Sequence, residues 1–151
     1  MTAAMVHIIA LTSIAAMLAA VMLWYGVTPG ARLLGLPIFI AQGALLALGL
    51  GLLLAALTVK YRDFRYVVPF AIQLGLFVSP VAFETAQVPP GWRALYALNP
   101  LAGIIDGFRW SVLGHALDRN VLITSIALTE LSLLAGVWYF RRTERGFADA
   151  I

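Results

Sequence analysis

The sequence contains no cysteine, a single lysine and few charged residues of any kind. Without cysteine the chain forms neither a disulfide nor a thiolate metal site. Charged residues occupy 11% of the 151 positions, whereas soluble proteins typically have about 25%. Hydrophobic residues make up 62%, and the mean hydropathy is +0.95. This composition predicts an integral membrane protein. The basic residues cluster beside apolar runs, which indicates membrane topology rather than nucleic-acid binding.

The motifs of common catalytic sites are also missing from the sequence. The one lysine, Lys60, follows the glycine-free segment AALTV, so the nucleotide-binding pattern G-x-x-x-x-G-K-[ST] is absent. His7 and His115 have no carboxylate at ligand spacing, and no Ser-His-Asp order stands out. We therefore expect no enzymatic activity, no metal and no cofactor in this chain.

Long apolar runs predict an all-α fold, a polytopic helical membrane protein with one transmembrane domain over residues 1–151. A helix needs about 20 apolar residues to cross a bilayer. The predicted spans are 3–27, 36–59, 66–83 and 121–140. The stretch 92–114 differs because it carries Arg93, Asp106 and Arg109 and is interrupted at Asn99–Pro100. It predicts two helices too short to cross, forming a re-entrant or interfacial hairpin.

The segment KYRDFRY, Lys60 to Tyr66, concentrates four charged residues between two apolar runs: Lys60, Arg62, Asp63 and Arg65. One side of the predicted topology then has the basic residues Lys60, Arg62, Arg65, Arg141, Arg142 and Arg145, against Arg32, Arg93, Arg109 and Arg119 elsewhere. By the positive-inside rule, the heptapeptide and the C-terminus are cytoplasmic. Asp63 is able to pair with Arg62 or Arg65 at little net energy.

Polar and small residues inside the apolar runs are the remaining candidates. Glu130 lies at the centre of the last run, where a carboxylate costs about 2.5–3.5 kcal/mol on insertion scales. It either faces a water-filled path or a polar residue such as Gln42 or Gln73, or it is protonated or packed against Thr129 and Ser132. Both interpretations stay open at this point.

Two further patterns concern packing. Gly43, Ala47, Gly51 and Ala55 recur every four residues and predict a close helix contact, within the chain in preference to a dimer contact. Asp106 and Arg109 are three residues apart, so they can pair on one helix face. Four aromatic residues of the hairpin region fit an interfacial belt better than sugar stacking: Trp92, Tyr96, Phe108 and Trp110.

Three segments together resemble a known family: LTVKYRDFRYVVPFAIQLGLFVSPVAF, VPPGWRALYALNPLAGIIDGFRWSVLG and YFRRTERGFADAI. They are similar to the permease subunit of type-2 ABC exporters, in the branch that exports O-antigen and other surface polysaccharides. The resemblance implies six spans and a channel formed by two permease copies. It also implies two separate nucleotide-binding subunits, which hold ATP and Mg²⁺.

The resemblance also assigns parts of the chain. The protein is expected in the inner membrane, with the heptapeptide as a cytoplasmic loop near the ATPase. The hairpin is expected to gate the external mouth of the channel, through Asn99, Pro100, Asp106, Arg109 and Trp110. The chain resembles the family from about the third span, so we expect a truncated copy, a fragment or half of a split permease. The alternatives are a permease for teichoic acid or a drug, a membrane enzyme such as a glycosyltransferase, or a remnant without activity.

Overall fold

The computed structural model describes residues 3–28, 30–81 and 88–147, and all regular structure in these ranges is helical. The helices are α1 (Ala3–Trp24), α2 (Leu36–Lys60), α3 (Phe64–Val78), α4 (Pro90–Ala97), α5 (Pro100–Leu113) and α6 (Arg119–Phe147). A 3₁₀ turn, Ala31–Gly35, leads into α2. The all-α prediction is confirmed. The end of the predicted third span, 82–83, lies outside the described residues.

Two helical segments are long and apolar enough to cross a membrane: Ala31–Lys60 and Arg119–Glu144. The apolar segment Thr12–Trp24 is shorter. Helix α3 has 15 residues, which is about 22 Å at 1.5 Å per residue and less than the roughly 30 Å bilayer core. Within the described residues, length and hydropathy together therefore support two of the four predicted spans, and the other two stay predictions.

Helices α2 and α6 form the centre of the fold and pack backbone against backbone. A Cβ atom added to Gly49 would lie 2.6 Å from the Leu133 amide nitrogen, and one added to Gly136 would collide with the Gly49 carbonyl. Nearer their starts, the Gln42 Nε2 atom donates to the Ser125 hydroxyl at 3.2 Å. Gln42 contacts Ser125 and, further along, Gly49 contacts Leu133, so α2 and α6 run parallel. The Lys60 end of α2 and the end of α6 therefore share one end of the molecule.

The predicted small-residue stripe does not form the close contact within the chain. Ala47, Gly51 and Ala55 are exposed, and no atom lies within 4 Å of a Cβ added to Gly51. Only Gly43 is half-buried, against Ile104. A strict spacing of four residues rotates by about 40° per step around a helix of 3.6 residues per turn, so the stripe leaves the packed face. The assignment of these three residues to packing within the chain was wrong.

Candidate functional site

The hairpin breaks at the residues where the sequence predicts a break. Helix α4 ends at Ala97 and α5 begins at Pro100. Between them Asn99 has an extended backbone, and its Oδ1 atom accepts a hydrogen bond from the Leu101 amide at 3.0 Å. Asn99 is therefore the N-cap of α5, and Pro100 takes the first helical position, where no amide hydrogen is needed. With 8 and 14 residues, the two helices are each too short to cross a bilayer.

Helix α5 runs antiparallel to the first part of α2. The contacts in order along the pair are Arg32 Nη1 to the Gly114 carbonyl at 3.0 Å, the Phe39 ring edge-on to Trp110 with centroids 6.4 Å apart, and Gly43 beside Ile104. Gly114 ends α5 in the left-handed conformation at φ 75°, which favours glycine. The C-terminal end of α5 is therefore hydrogen-bonded to the turn that precedes α2.

The tip of the hairpin stops less than halfway along α2. The Ser125 hydroxyl, which accepts from Gln42, donates to the carbonyl of Pro100 at the tip. Gln42 is roughly 18 Å along the helix from Ala31, whereas the segment from Ala31 to Lys60 is roughly 45 Å long. Gln42 is buried and joins α2, α5 and α6. Gly114, at the end of α5, therefore lies at the Arg32 end of the molecule, and Pro100, at the start of α5, lies less than halfway along α2.

Two hairpin side chains bind the carbonyl end of α3. This helix stops at Val78, and the carbonyls that follow need donors because a bilayer offers none. The Asn99 Nδ2 atom donates to the Val78 carbonyl at 3.3 Å. The Arg109 Nη2 atom donates to the carbonyls of Pro80 at 2.6 Å and Val81 at 3.3 Å. Asn99 and Arg109 therefore connect the hairpin to the end of α3.

The charge of Arg109 is balanced by Asp106. Their side chains are 18% and 12% exposed, and the Arg109 Nη1 and Asp106 Oδ1 atoms are 3.6 Å apart. The ion pair predicted from the spacing is present. A cation beside the carbonyl end of a helix is also favoured by the helix dipole. The pair places a charged donor at the end of α3 while leaving little net charge there.

The charged heptapeptide is a tight turn between α2 and α3. Only residues 61–63 separate the two helices. The Lys60 ammonium and the Arg65 guanidinium each lie 5.3 Å from the ring centroid of the tyrosine that follows them. Arg62 and Asp63 are exposed. Within residues 60–66, all of them described, Asp63 pairs with neither arginine. The ion pair that Asp63 is able to form is not present, since an exposed ion pair gains little and Arg65 lies over a ring instead.

Glu130 is exposed at mid-helix, away from the buried side of α6. The expected partner Gln42 bonds to Ser125, and Gln73 is exposed on α3. Thr129 is buried and donates its hydroxyl to the Ser125 carbonyl. A position facing a water-filled path stays a prediction. The interpretation that Glu130 is protonated or packed against Thr129 and Ser132 also stays a prediction.

Comparison with known proteins adds the family. Residues 1–113 match the family model described as ABC-2 type transporter. The chain belongs to the ABC-2 type transporter family. The matched region of this ABC-2 chain includes the heptapeptide, α3 and the hairpin, which are the segments that form the site. Family membership and the apolar helices establish a membrane protein.

Individual relatives of the ABC-2 chain come from the O-antigen export branch. The O-antigen export system permease protein RfbA of Myxococcus xanthus is 27% identical over 130 residues, which cover 84% of this chain and 50% of the relative. The protein of the same name from Klebsiella pneumoniae is 24% identical over 132 residues, covering 84% and 49%. The chain thus spans about half the length of the curated relatives it matches. No solved structure matches it.

Proposed function

We propose that this ABC-2 family chain forms membrane-spanning structure of an exporter that moves a polysaccharide, O-antigen or a similar lipid-linked glycan, across the inner membrane. The observation that carries the proposal is its similarity, over 84% of its length, to O-antigen export permeases. The match to the ABC-2 family model, which includes the heptapeptide, α3 and the hairpin, also supports the proposal.

A partner subunit supplies the energy in this proposal. The sequence has no nucleotide-binding loop, so a separate nucleotide-binding subunit hydrolyses ATP and contacts the heptapeptide. Two copies of the permease form the channel, and the exposed stripe with Ala47, Gly51 and Ala55 is available for contact with another membrane helix.

Four spans and a cytoplasmic C-terminus complete the proposed topology. Helix α1 crosses outward, α2 inward, α3 outward and α6 inward, and the hairpin lies on the outer side. The parallel course of α2 and α6 supports this arrangement because it brings the heptapeptide and the basic segment after residue 140 to the same end. The positive-inside rule makes that end cytoplasmic.

The mechanism follows from the position of α3. One end of α3 adjoins the heptapeptide, and the other is bound by Asn99 and Arg109 of the hairpin. A movement that the ATPase imposes on the loop would therefore reach the hairpin through one helix. The hairpin, placed at the outer mouth, would open for the glycan while the bilayer stays sealed around the spans.

An isosteric exchange at Asn99 tests this connection in the intact exporter with its ATP-binding subunit. Asn99→Asp keeps the cap acceptor for Leu101 but removes the donor to Val78 and brings a negative charge to its carbonyl. We expect export to fall while ATP hydrolysis continues. Asp118→Asn is the matched control, because Asp118 caps α6 on the same side of the molecule and asparagine caps equally well. Export at the original rate in Asn99→Asp would refute the connection.

Charge reversal tests the ATPase contact. In the same exporter, Arg62→Glu with Arg65→Glu should weaken the stimulation of ATP hydrolysis without preventing membrane insertion. The reason is that exposed charges at an interface steer the association of two subunits and fix their register. Arg119→Glu, at the opposite end of the molecule, is the control. Unchanged stimulation and export would mean that the loop is a topology determinant alone.

A further inference from the structure

An apolar groove lies between the end of α1 and the second half of α5. Its volume is about 340 Å³. The walls include Val21, Met22 and Val27 on one side and Phe108, Val112 and Leu113 on the other. The surface that they present is apolar. Ordered water needs two to four polar partners, so this groove favours a hydrocarbon occupant.

The one charged residue in the wall does not change this character. Arg109 lines the groove, but its Nη2 atom donates to the carbonyls of Pro80 and Val81, and its Nη1 atom faces Asp106. Its aliphatic stem is left to line the groove, as is common for long basic side chains.

A second basic residue lies at the end of the groove. Leu113 is followed by Gly114, whose carbonyl accepts from the Arg32 Nη1 atom at 3.0 Å. Arg32 is exposed, and no carboxylate in the described ranges forms an ion pair with it. A guanidinium has five N–H donors in a geometry that matches phosphate. Tyr25 lines the groove and is 76% exposed, so its hydroxyl is accessible.

We propose that the groove binds one acyl chain of an anionic membrane phospholipid, with the lipid phosphate held by Arg32. The combination of a dry apolar groove and an adjacent unpaired cation is complementary to such a lipid. The proposal requires that the chain lies in a bilayer, and it is independent of transport.

Photolabelling of the full chain tests the site. The chain is reconstituted in phosphatidylcholine vesicles that contain a small fraction of phosphatidylglycerol with a photoreactive group on one acyl chain. We expect cross-links within 18–27 and 108–113. Val112→Trp fills the groove and should reduce these cross-links severalfold. Ile38→Trp adds the same ring on α2, where Ile38 is 67% exposed and outside the groove, and should leave them unchanged.

A charge substitution tests the headgroup part without altering the groove. Arg32→Gln should lower labelling by phosphatidylglycerol about fivefold, the usual effect of one basic side chain at a membrane surface. Arg119→Gln, also exposed at this end of the molecule, is the control. Labelling by photoreactive phosphatidylcholine should not change in either variant.

Three results would overturn the proposal. One is equal labelling of the Val112→Trp and Ile38→Trp variants, which would mean that lipid contacts the surface without entering the groove. Another is an equal effect of Arg32→Gln and Arg119→Gln. The third is displacement of the label by a polyprenyl phosphate but not by unlabelled phosphatidylglycerol, which would assign the groove to a glycan carrier instead.

Discussion

Replacement of Gly49 by alanine tests the close contact between α2 and α6. The added Cβ atom would lie 2.6 Å from the Leu133 amide nitrogen and 2.8 Å from the Ser132 carbonyl carbon. These are backbone atoms, so no side-chain rotation relieves the overlap, and the two helices must separate. Overpacking of this kind costs about 1–3 kcal/mol. The gain in helix propensity from glycine to alanine, up to about 1 kcal/mol, offsets part of it.

Gly51 provides the matched control two residues further along the same helix. Nothing lies within 4 Å of a Cβ added there, so Gly51→Ala retains the propensity gain without overlap. The structure therefore predicts that glycine-to-alanine substitution lowers the stability at position 49 and raises it at position 51. A net loss of about 1 kcal/mol for Gly49→Ala corresponds to a decrease of about 2–4 °C in Tm for a chain of this size.

The assay is thermal unfolding of the purified chain in detergent, followed by the loss of the folded peak in size-exclusion chromatography. Gly136→Ala on the other helix should resemble Gly49→Ala, because its Cβ would meet the Gly49 carbonyl. If Gly49→Ala is as stable as Gly51→Ala, the helices do not approach as described, and the parallel arrangement of α2 and α6 loses its main support.

Four further substitutions have defined outcomes in unfolding or association measurements. Arg109→Gln should lower stability by about 1.5–3 kcal/mol, the contribution of a charged hydrogen bond. Adding Asp106→Asn should recover part of this loss by removing the carboxylate that faced Arg109, and strictly additive losses would contradict the ion pair. Gln42→Leu should cost about 0.6 kcal/mol, the average for a hydrogen bond between membrane helices, and no loss would argue against its bond to α6. Gly51→Leu should leave monomer stability within about 0.5 kcal/mol but weaken self-association, and unchanged association would exclude the stripe from a dimer contact.

Local features were predictable from the sequence because they depend on residues close together in the chain. The break at Asn99–Pro100 follows from the missing amide hydrogen of proline and its effect on the preceding residue. The pair Asp106 and Arg109 follows from helical spacing. Apolar runs also located the spanning candidates, although α6 extends beyond the predicted 121–140 to Arg119–Phe147.

Contacts between distant segments were not predictable in the same way. The sequence offers several small-residue patterns, and the pattern within α2 alone pointed to the wrong face of that helix. A useful signal was present in α6, where Ser125, Thr129, Ser132 and Gly136 follow spacings of four, three and four residues. Such a pattern stays on one helix face, and three of these residues are buried. The donation from Arg109 to the end of α3 depends on tertiary folding and leaves no comparable signal.

Thiol labelling from outside the cell tests the central claim, a hairpin that enters the membrane and returns without crossing. Single cysteines are placed in this cysteine-free chain at Gly91, before the hairpin, at Ala116, after it, and at Asp63 in the charged turn; all three positions are exposed. An impermeant reagent added to intact cells should label the cysteines at 91 and 116 and reach the one at 63 only after the membrane is opened. Labelling at 91 without labelling at 116 would mean that α4 and α5 cross the bilayer, which contradicts the re-entrant hairpin and the orientation of α6.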